Sequence, residues 1–340
     1  MRTFNKPPLT VPQQIQLLKQ RGLAIRDETR AERFLEVVSL FRLSPYMRPF
    51  QTAGDPDHAF LPGSSFGQII AVYCFDRELR NLIMDAVERF EVAVRAGINN
   101  HMSSVAGSAH WYLDSVWFGR GYPHGRLLSG LRTKLEQEKS KHERESRLIR
   151  KSHASDELKH QRIEQRRRDN YFRYYGDTYD KPDLPPSWAM LEGLSLGELS
   201  RLYAGIAKDN DRKRIARRFD LPQDVLRSWL HTLTFVRNCC AHHARLWNRE
   251  LSVPPKLPRS RQWQLPCSKQ QPSPDRRLYV VLMMLTHLMQ HVSPDSRWLT
   301  RLQDLLGRYQ QLPQSPMGFP EQWQNLDFWQ QALGAMEKKA

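Results

Sequence analysis

Residues 69–94 read IIAVYCFDRELRNLIMDAVERFEVAV, and this stretch decides the fold of the chain. Its large apolar side chains recur every three or four positions, from Ile69 and Val72 through Leu82 to Val94. This spacing matches the turn of an α-helix and places the apolar side chains along one face. We therefore predict a long helix that begins shortly after residue 64 and turns this face toward a buried core.

Helical periodicity also governs the sequence upstream, whereas alternating runs of β-branched residues are scarce throughout. The pattern predicts an all-α fold. Two short helices are expected before residue 50. The first carries Ile15 and Leu18, and the apolar residues of the second are Phe34, Val37, Val38 and Phe41.

Downstream, the start signals of three further helices are readable. Ser187 is a candidate N-cap, Ser195 and Glu198 have the spacing of a capping box, and Pro222 precedes a third helix. That third helix has an apolar stripe formed by Leu226, Trp229, Leu233, Val236 and Cys240. Another amphipathic helix is expected over residues 279–292.

These patterns predict three parts. Residues 1–60 form an N-terminal helical region, and residues 61–310 form a helical domain interrupted by a basic arm at about 132–176. Residues 311–340 are a C-terminal tail rich in Gln, Trp and Pro, for which the sequence predicts no structure.

The overall charge points to a polyanionic partner. The chain has 52 basic and 36 acidic residues and a formal net charge of +16, so we expect RNA or DNA to be attracted to its surface. Solubility alone is the alternative explanation of this charge. The N-terminal residues carry no signal-like apolar segment, and the four cysteines include the adjacent Cys239 and Cys240, so a cytoplasmic location without a membrane partner is expected.

The predicted arm has its own composition. Between residues 132 and 173 basic residues outnumber acidic ones and large apolar residues nearly vanish, which predicts a projecting helical arm or a disordered insert. It ends in RRRDNYFRYY, residues 166–175, where rings suited to base stacking alternate with arginines suited to phosphates. The alternative interpretation is that the rings dock the arm onto the core, and both interpretations stay open. The candidate RNA-binding residues of the arm are Arg166, Arg167, Arg168, Tyr171, Arg173 and Tyr174.

The residues that carry chemistry lie near the end of the third downstream helix, in the sequence RNCCAH at positions 237–242. Metal-independent RNA cleavage needs a proton-transfer group and a fixed cation at the phosphate, and His242 and Arg237 are of these types. Asn238 shares a helix face with His242, whereas Arg237 projects from an adjacent side. Because one motif supplies one histidine, a symmetric dimer that brings two motifs together is expected.

Two other interpretations of this motif were weighed. An arginine and a histidine five positions apart also arise by chance. Zinc is a second alternative, but ligands packed into consecutive helical residues point in different directions and do not close a tetrahedron. We therefore predict neither a metal nor a cofactor. Arg245 and Arg249, which follow the motif, either extend the phosphate track or are ordinary surface charge.

The stretch RNCCAHHARLWNR, residues 237–249, resembles the signature of the HEPN ribonuclease superfamily, in particular the bacterial abortive-infection AbiD/AbiF proteins. Three further stretches resemble the same family in the same order. They are QIQLLKQRGLAI at 14–25 with FRLSPYMRPF at 41–50, FDRELRNLIMDAVERFEVAVRAGI at 75–98, and PPSWAMLEGLSLGELSRLY at 185–203.

This resemblance implies a HEPN-like helical bundle, a dimeric catalytic cleft, and cleavage of RNA to a cyclic phosphate and a free 5′-hydroxyl. It also implies a role in phage defence through growth arrest. Arg237, Asn238 and His242 match the catalytic motif, and His243, Glu192 and Arg80 are candidates for catalytic support. The basic arm looks expanded relative to the family, so its role is not implied by the resemblance.

Two functions of other classes remain open on the sequence. The chain is alternatively a non-catalytic RNA-binding module that holds a regulatory or antitoxin RNA. A third interpretation makes it a helical regulatory partner of a nucleotidyltransferase.

Overall fold

A computed structural model describes residues 7–265 and 273–337. Within these ranges the chain forms fourteen α-helices and no β-strand, which confirms the predicted all-α class. Cys267 lies outside the described residues. The helices are α1 Val11–Gln20, α2 Glu28–Val38, α3 Leu40–Met47, α4 Phe66–Ala106, α5 His124–Arg150, α6 Asp156–Arg168, α7 Tyr171–Thr178, α8 Ser187–Glu192, α9 Leu196–Gly205, α10 Asp209–Ala216, α11 Gln223–Ala241, α12 Leu278–Val292, α13 Trp298–Arg308 and α14 Asp327–Glu337.

Helix α4 is the axis of the fold and confirms the prediction from residues 69–94. It begins at a capping box, in which the Ser65 hydroxyl accepts from the Gln68 amide and the Gln68 side chain accepts from the Ser65 amide. It ends at Gly107, whose φ of 60° is the left-handed geometry that favours glycine. The predicted apolar stripe is buried, and α3, α8, α10, α11, α12 and α13 all pack against this one helix.

Helix α12 lies beside α4 and is buried on all sides, because every residue from Leu278 to Met289 is buried. Its outer side is covered by the C-terminal segment, for which the sequence predicted no structure. There the Trp329 indole donates a hydrogen bond of 2.9 Å to the Tyr279 hydroxyl, and Phe328 packs against Trp263. The aromatic residues of the tail therefore complete the core.

The N-terminal helices share this core, but the second predicted helix is divided between α2 and α3. Two of its apolar residues, Val37 and Phe41, are 86% and 89% exposed. Ser39, between α2 and α3, has φ of 64° and breaks the helix there. The helical phase therefore changes at Ser39, and Leu43 and Tyr46 of α3 are buried instead.

The basic arm is helical and consists of α5, α6 and α7, which pack on one another. Buried Arg173 of α7 holds the arm together, because its guanidinium donates to the carboxylates of Glu138 and Glu145 of α5 at 2.8 and 2.9 Å. The ring of Phe172, which comes from the arm, packs against the core. It lies so close to Gly193 at the end of α8 that an added Cβ there would be 2.8 Å from it.

Candidate active site

Helix α11 carries the predicted motif and is anchored along one side. It begins after Pro222 as predicted, and the whole predicted apolar stripe is buried against α4, α9 and α10. The Trp229 indole adds a hydrogen bond of 2.7 Å to the carbonyl of Lys256, which ties the middle of α11 to the following loop. The helix is therefore a rigid support for the residues at its end.

The motif side chains reach the surface where α11 ends. Arg237 is half-buried, and Asn238, His242 and His243 are exposed. His242 is the C-cap, and its amide donates to the carbonyl of Asn238 at 3.0 Å. Arg237 emerges from an adjacent side of the helix, so its long side chain must extend to come near His242.

A tight turn follows the helix and fixes the direction of the chain. His243 has φ of 55°, and the amides of His243 and Ala244 donate back to the carbonyls of Cys240 and Cys239 at 2.9 and 2.8 Å. This closing pattern satisfies carbonyl groups that a helix end leaves without partners.

Asp76 of α4 holds the chain beyond this turn. Its fully buried carboxylate accepts hydrogen bonds from the backbone amides of Leu246 and Trp247 at 3.1 and 2.7 Å and from the Tyr46 hydroxyl at 2.6 Å. It also forms an ion pair with Arg80. Burial raises the pKa of Asp76, and the positive charge of Arg80 and the donated hydrogen bonds oppose that shift.

The structure places Arg80, one of the candidates for catalytic support, inside this buried network. Its guanidinium donates to Asp76 and, at 3.1 Å, to the Tyr46 hydroxyl. Arg80 therefore acts on the motif through Asp76 and the turn, as a positioning residue.

Two hydrogen bonds join helix α3 to the turn, and each side donates one of them. Arg42 donates to the carbonyl of His243 at 2.8 Å, and Arg245 donates to the carbonyl of Pro45 at 3.1 Å. Burial lowers the pKa of Arg245. Arg249 lies beside α11, with its guanidinium 5.4 Å from the centre of the Phe235 ring. Arginines thus surround the end of α11.

The two motif cysteines differ from the exposed residues around them. Burial raises the pKa of both thiols, that of Cys240 to about 12, so both stay protonated at neutral pH. Among the residues that the structure describes, no group of three His, Cys, Asp or Glu side chains is arranged to hold a metal ion.

Sequence reasoning did not find Asp76, Tyr46 and Arg42. One signal for Asp76 was present, since a lone carboxylate lies next to the apolar stripe of α4 and four residues before Arg80. Glu192, another candidate for support, is exposed at the end of α8 and pairs with Arg95 at 3.7 Å.

A comparison with family models identifies the chain. A model described as Abi-like protein matches residues 33–248, more than half of the chain. The chain belongs to the Abi-like protein family. Membership associates it with abortive infection, a form of defence against phage. The searches of curated proteins and of solved structures gave no match.

The Abi-like match spans both the motif and the basic arm. In the arm, Arg166 and Arg168 are exposed, and Arg167 lies with its guanidinium 5.3 Å from the centre of the Tyr174 ring. Tyr171 is exposed, and its ring centre lies 6.0 Å from that of the half-buried Tyr174. Arg173 differs from these candidates because its ion pairs already use its charge inside the arm.

In the part of this Abi-like chain that the structure describes, no helix combines the length and the apolar character needed to cross a membrane.

Proposed function

We propose that this Abi-like protein is a metal-independent endoribonuclease of the HEPN type, related to the AbiD/AbiF proteins, and that RNA cleavage arrests growth during phage infection. The observation that carries the proposal is the exposure of Asn238 and His242, with Arg237 beside them, at the end of α11, where the buried Asp76 holds the chain beyond the following turn. These are the residue types that the reaction requires.

In the proposed reaction, His242 removes the proton of a ribose 2′-hydroxyl, and the 2′-oxygen attacks the adjacent phosphorus. The bond from phosphorus to the 5′-oxygen breaks, and that oxygen receives a proton from an imidazolium. The products are a 2′,3′-cyclic phosphate and a 5′-hydroxyl end. Arg237 stabilises the charge that develops on the phosphate oxygens, and the Asn238 amide holds the phosphate by hydrogen bonds.

A second copy of the chain supplies the second proton-transfer group in this proposal. The motif provides one histidine at the reacting position, and a two-fold axis near the end of α11 places another copy's His242 opposite the first. His243, exposed on the same turn, supports the phosphate. Cleavage is then expected to decrease when the protein is diluted below its dimer dissociation constant, as measured by light scattering and initial rates at matched concentrations.

The test compares the parent chain with Arg237→Ala and His242→Ala on cellular RNA in the presence of EDTA, with sequencing of the RNA ends. Cyclic-phosphate ends are expected from the parent and at least a hundredfold fewer from either variant, since a general acid or base contributes about 10²–10⁴-fold. His160→Ala is the matched control, because this exposed α6 imidazole has no role in the proposal. If His242→Ala cuts as fast as His160→Ala, the proposal is wrong.

A non-catalytic RNA-binding function is the second candidate, and the exposed arginines and tyrosines of the arm favour it. In that case a defined RNA copurifies intact with the parent chain, and no RNA offered to it is cut. The same sequencing experiment separates the two candidates, because new RNA ends form in one case and not in the other.

A further inference from the structure

The exposed side of α11 forms a polar stripe that leads to the motif. Arg227, His231, Thr234, Asn238 and His242 follow one another at steps of four, three, four and four residues. On an α-helix these positions lie within about 80° of one another, on the side opposite the buried apolar stripe. None of the five is buried. From Arg227 to His242 the stripe is about 22 Å long.

A groove lies beside the first half of this stripe, between α9 and α11. Its cavity has a volume of about 480 Å³ and is lined by Arg201 of α9, Arg227 and His231 of α11, and Lys256. Gly197 of α9 lets the two helices approach closely, because an added Cβ would be 3.3 Å from the methyl group of Thr234.

A second cavity lies at the base of the basic arm. Arg201 also lines this cavity of about 570 Å³, together with Arg126 and Lys134 of α5. Arg201 is therefore common to the linings of both cavities and lies between α5 and α11.

The linings of the two cavities carry a net positive charge. Each cavity contains one carboxylate, and each carboxylate is already paired, Glu198 with Lys134 at 3.2 Å and Asp224 with Lys256 at 3.6 Å. Neither Arg201 nor Arg227 forms an ion pair with a carboxylate of the described residues, and both are exposed. Two uncompensated arginines thus remain for an anionic ligand.

We infer that this groove is the path along which a single strand of RNA reaches the motif, an inference that rests on the proposed function. Phosphates of the strand bind Arg201 and Arg227, and the strand then follows the polar stripe of α11 to Asn238 and His242. Arginines that track a backbone give affinity without sequence preference, and known single-strand sites cover about 4–16 nucleotides.

The test measures binding in the His242→Ala background, where proposed cleavage is removed. A fluorescent unstructured RNA of about 12 nucleotides, within the usual site size, is titrated at several salt concentrations. Arg201→Ala with Arg227→Ala is compared with Arg26→Ala with Arg297→Ala, which removes the same charge from exposed positions outside the groove. Unfolding midpoints are measured for all variants to confirm that each is folded.

We expect the groove variant to bind about tenfold more weakly than the control. The slope of log affinity against log salt should become shallower by about 0.7 for each lost phosphate contact. If the parent background binds RNA and the groove variant matches the control in affinity and slope, the inferred path is wrong while the nuclease proposal stands. If the His242→Ala protein binds no RNA, and the active parent cuts none, both are wrong.

Discussion

Replacing Asp76 by alanine is the sharpest test of how the candidate site is supported. The change removes the acceptor for two backbone amides and the Tyr46 hydroxyl, and it leaves Arg80 buried without its ion-pair partner. Breaking a buried pair on one side costs about 3–5 kcal/mol, because the remaining charge stays out of water. This is a large fraction of the roughly 5–15 kcal/mol by which a typical domain is stable.

The measurement is the free energy of unfolding from urea titrations followed by far-UV circular dichroism. Asp85→Ala is the matched control, since Asp85 is on the same helix and its carboxylate is paired with Arg89 and Arg301 near the surface. We expect the control to lose less than about 1 kcal/mol. Equal losses in Asp76→Ala and Asp85→Ala would refute the reasoning.

A double replacement separates the buried charge from the lost hydrogen bonds. Asp76→Leu with Arg80→Met removes both charges, so it should be more stable than Asp76→Leu alone, which leaves the Arg80 charge buried and unpaired. In addition, RNA cleavage by folded Asp76→Ala protein should fall, because the turn after His242 has lost its anchor. Full cleavage by that variant would show that the turn does not depend on the carboxylate.

Three further predictions concern other parts of the fold. Burial lowers the pKa of His287 to about 4, so the unfolded chain takes up a proton at a higher pH than the folded chain does. The free energy of unfolding, measured by urea titrations, should therefore decrease by about 3 kcal/mol between pH 6.5 and 4. His287→Gln should remove most of this pH dependence. Arg173→Ala should lower stability by about 2 kcal/mol and speed proteolysis within the arm, whereas Arg168→Ala should do neither. Trp329→Phe should lose about 1 kcal/mol, measured by thermal unfolding, because the Tyr279 hydroxyl loses its donor.

Features that depend on local sequence were predictable. The stripes of α4 and α11 follow from their spacing, and the capping box of Ser195 with Glu198 forms as predicted, with the Ser195 amide donating to the Glu198 carboxylate at 2.8 Å. Ser187 was predicted as the N-cap, whereas the N-cap of α8 is Pro186. The helix begins at Ser187 itself, and its hydroxyl donates to Asn99 at 2.8 Å. Helix boundaries depend on such tertiary partners, which a single sequence does not reveal.

Features that depend on distant contacts were not predictable. The network around Asp76 joins residues separated by 30 and by 170 positions, so no local pattern contains it. In the tail, the Trp329 indole finds its hydrogen-bond partner in Tyr279 of α12, 50 positions earlier, so no local pattern shows where the tail packs. At the candidate site, residue chemistry singled out Arg237 and His242, but the anchors of the turn on which His242 lies come from helices far away in the chain.

The network around Asp76 also imposes an order on synthesis. A ribosome adds Asp76 170 residues before Leu246, so the carboxylate lacks these backbone donors while those residues are made. A nascent chain that ends at His242 contains all residues of the motif, but it lacks the anchored turn that follows them. A chain released from a stalled ribosome before Leu246 should therefore cut no RNA. In the proposed function, the site becomes active only after Leu246 has been added.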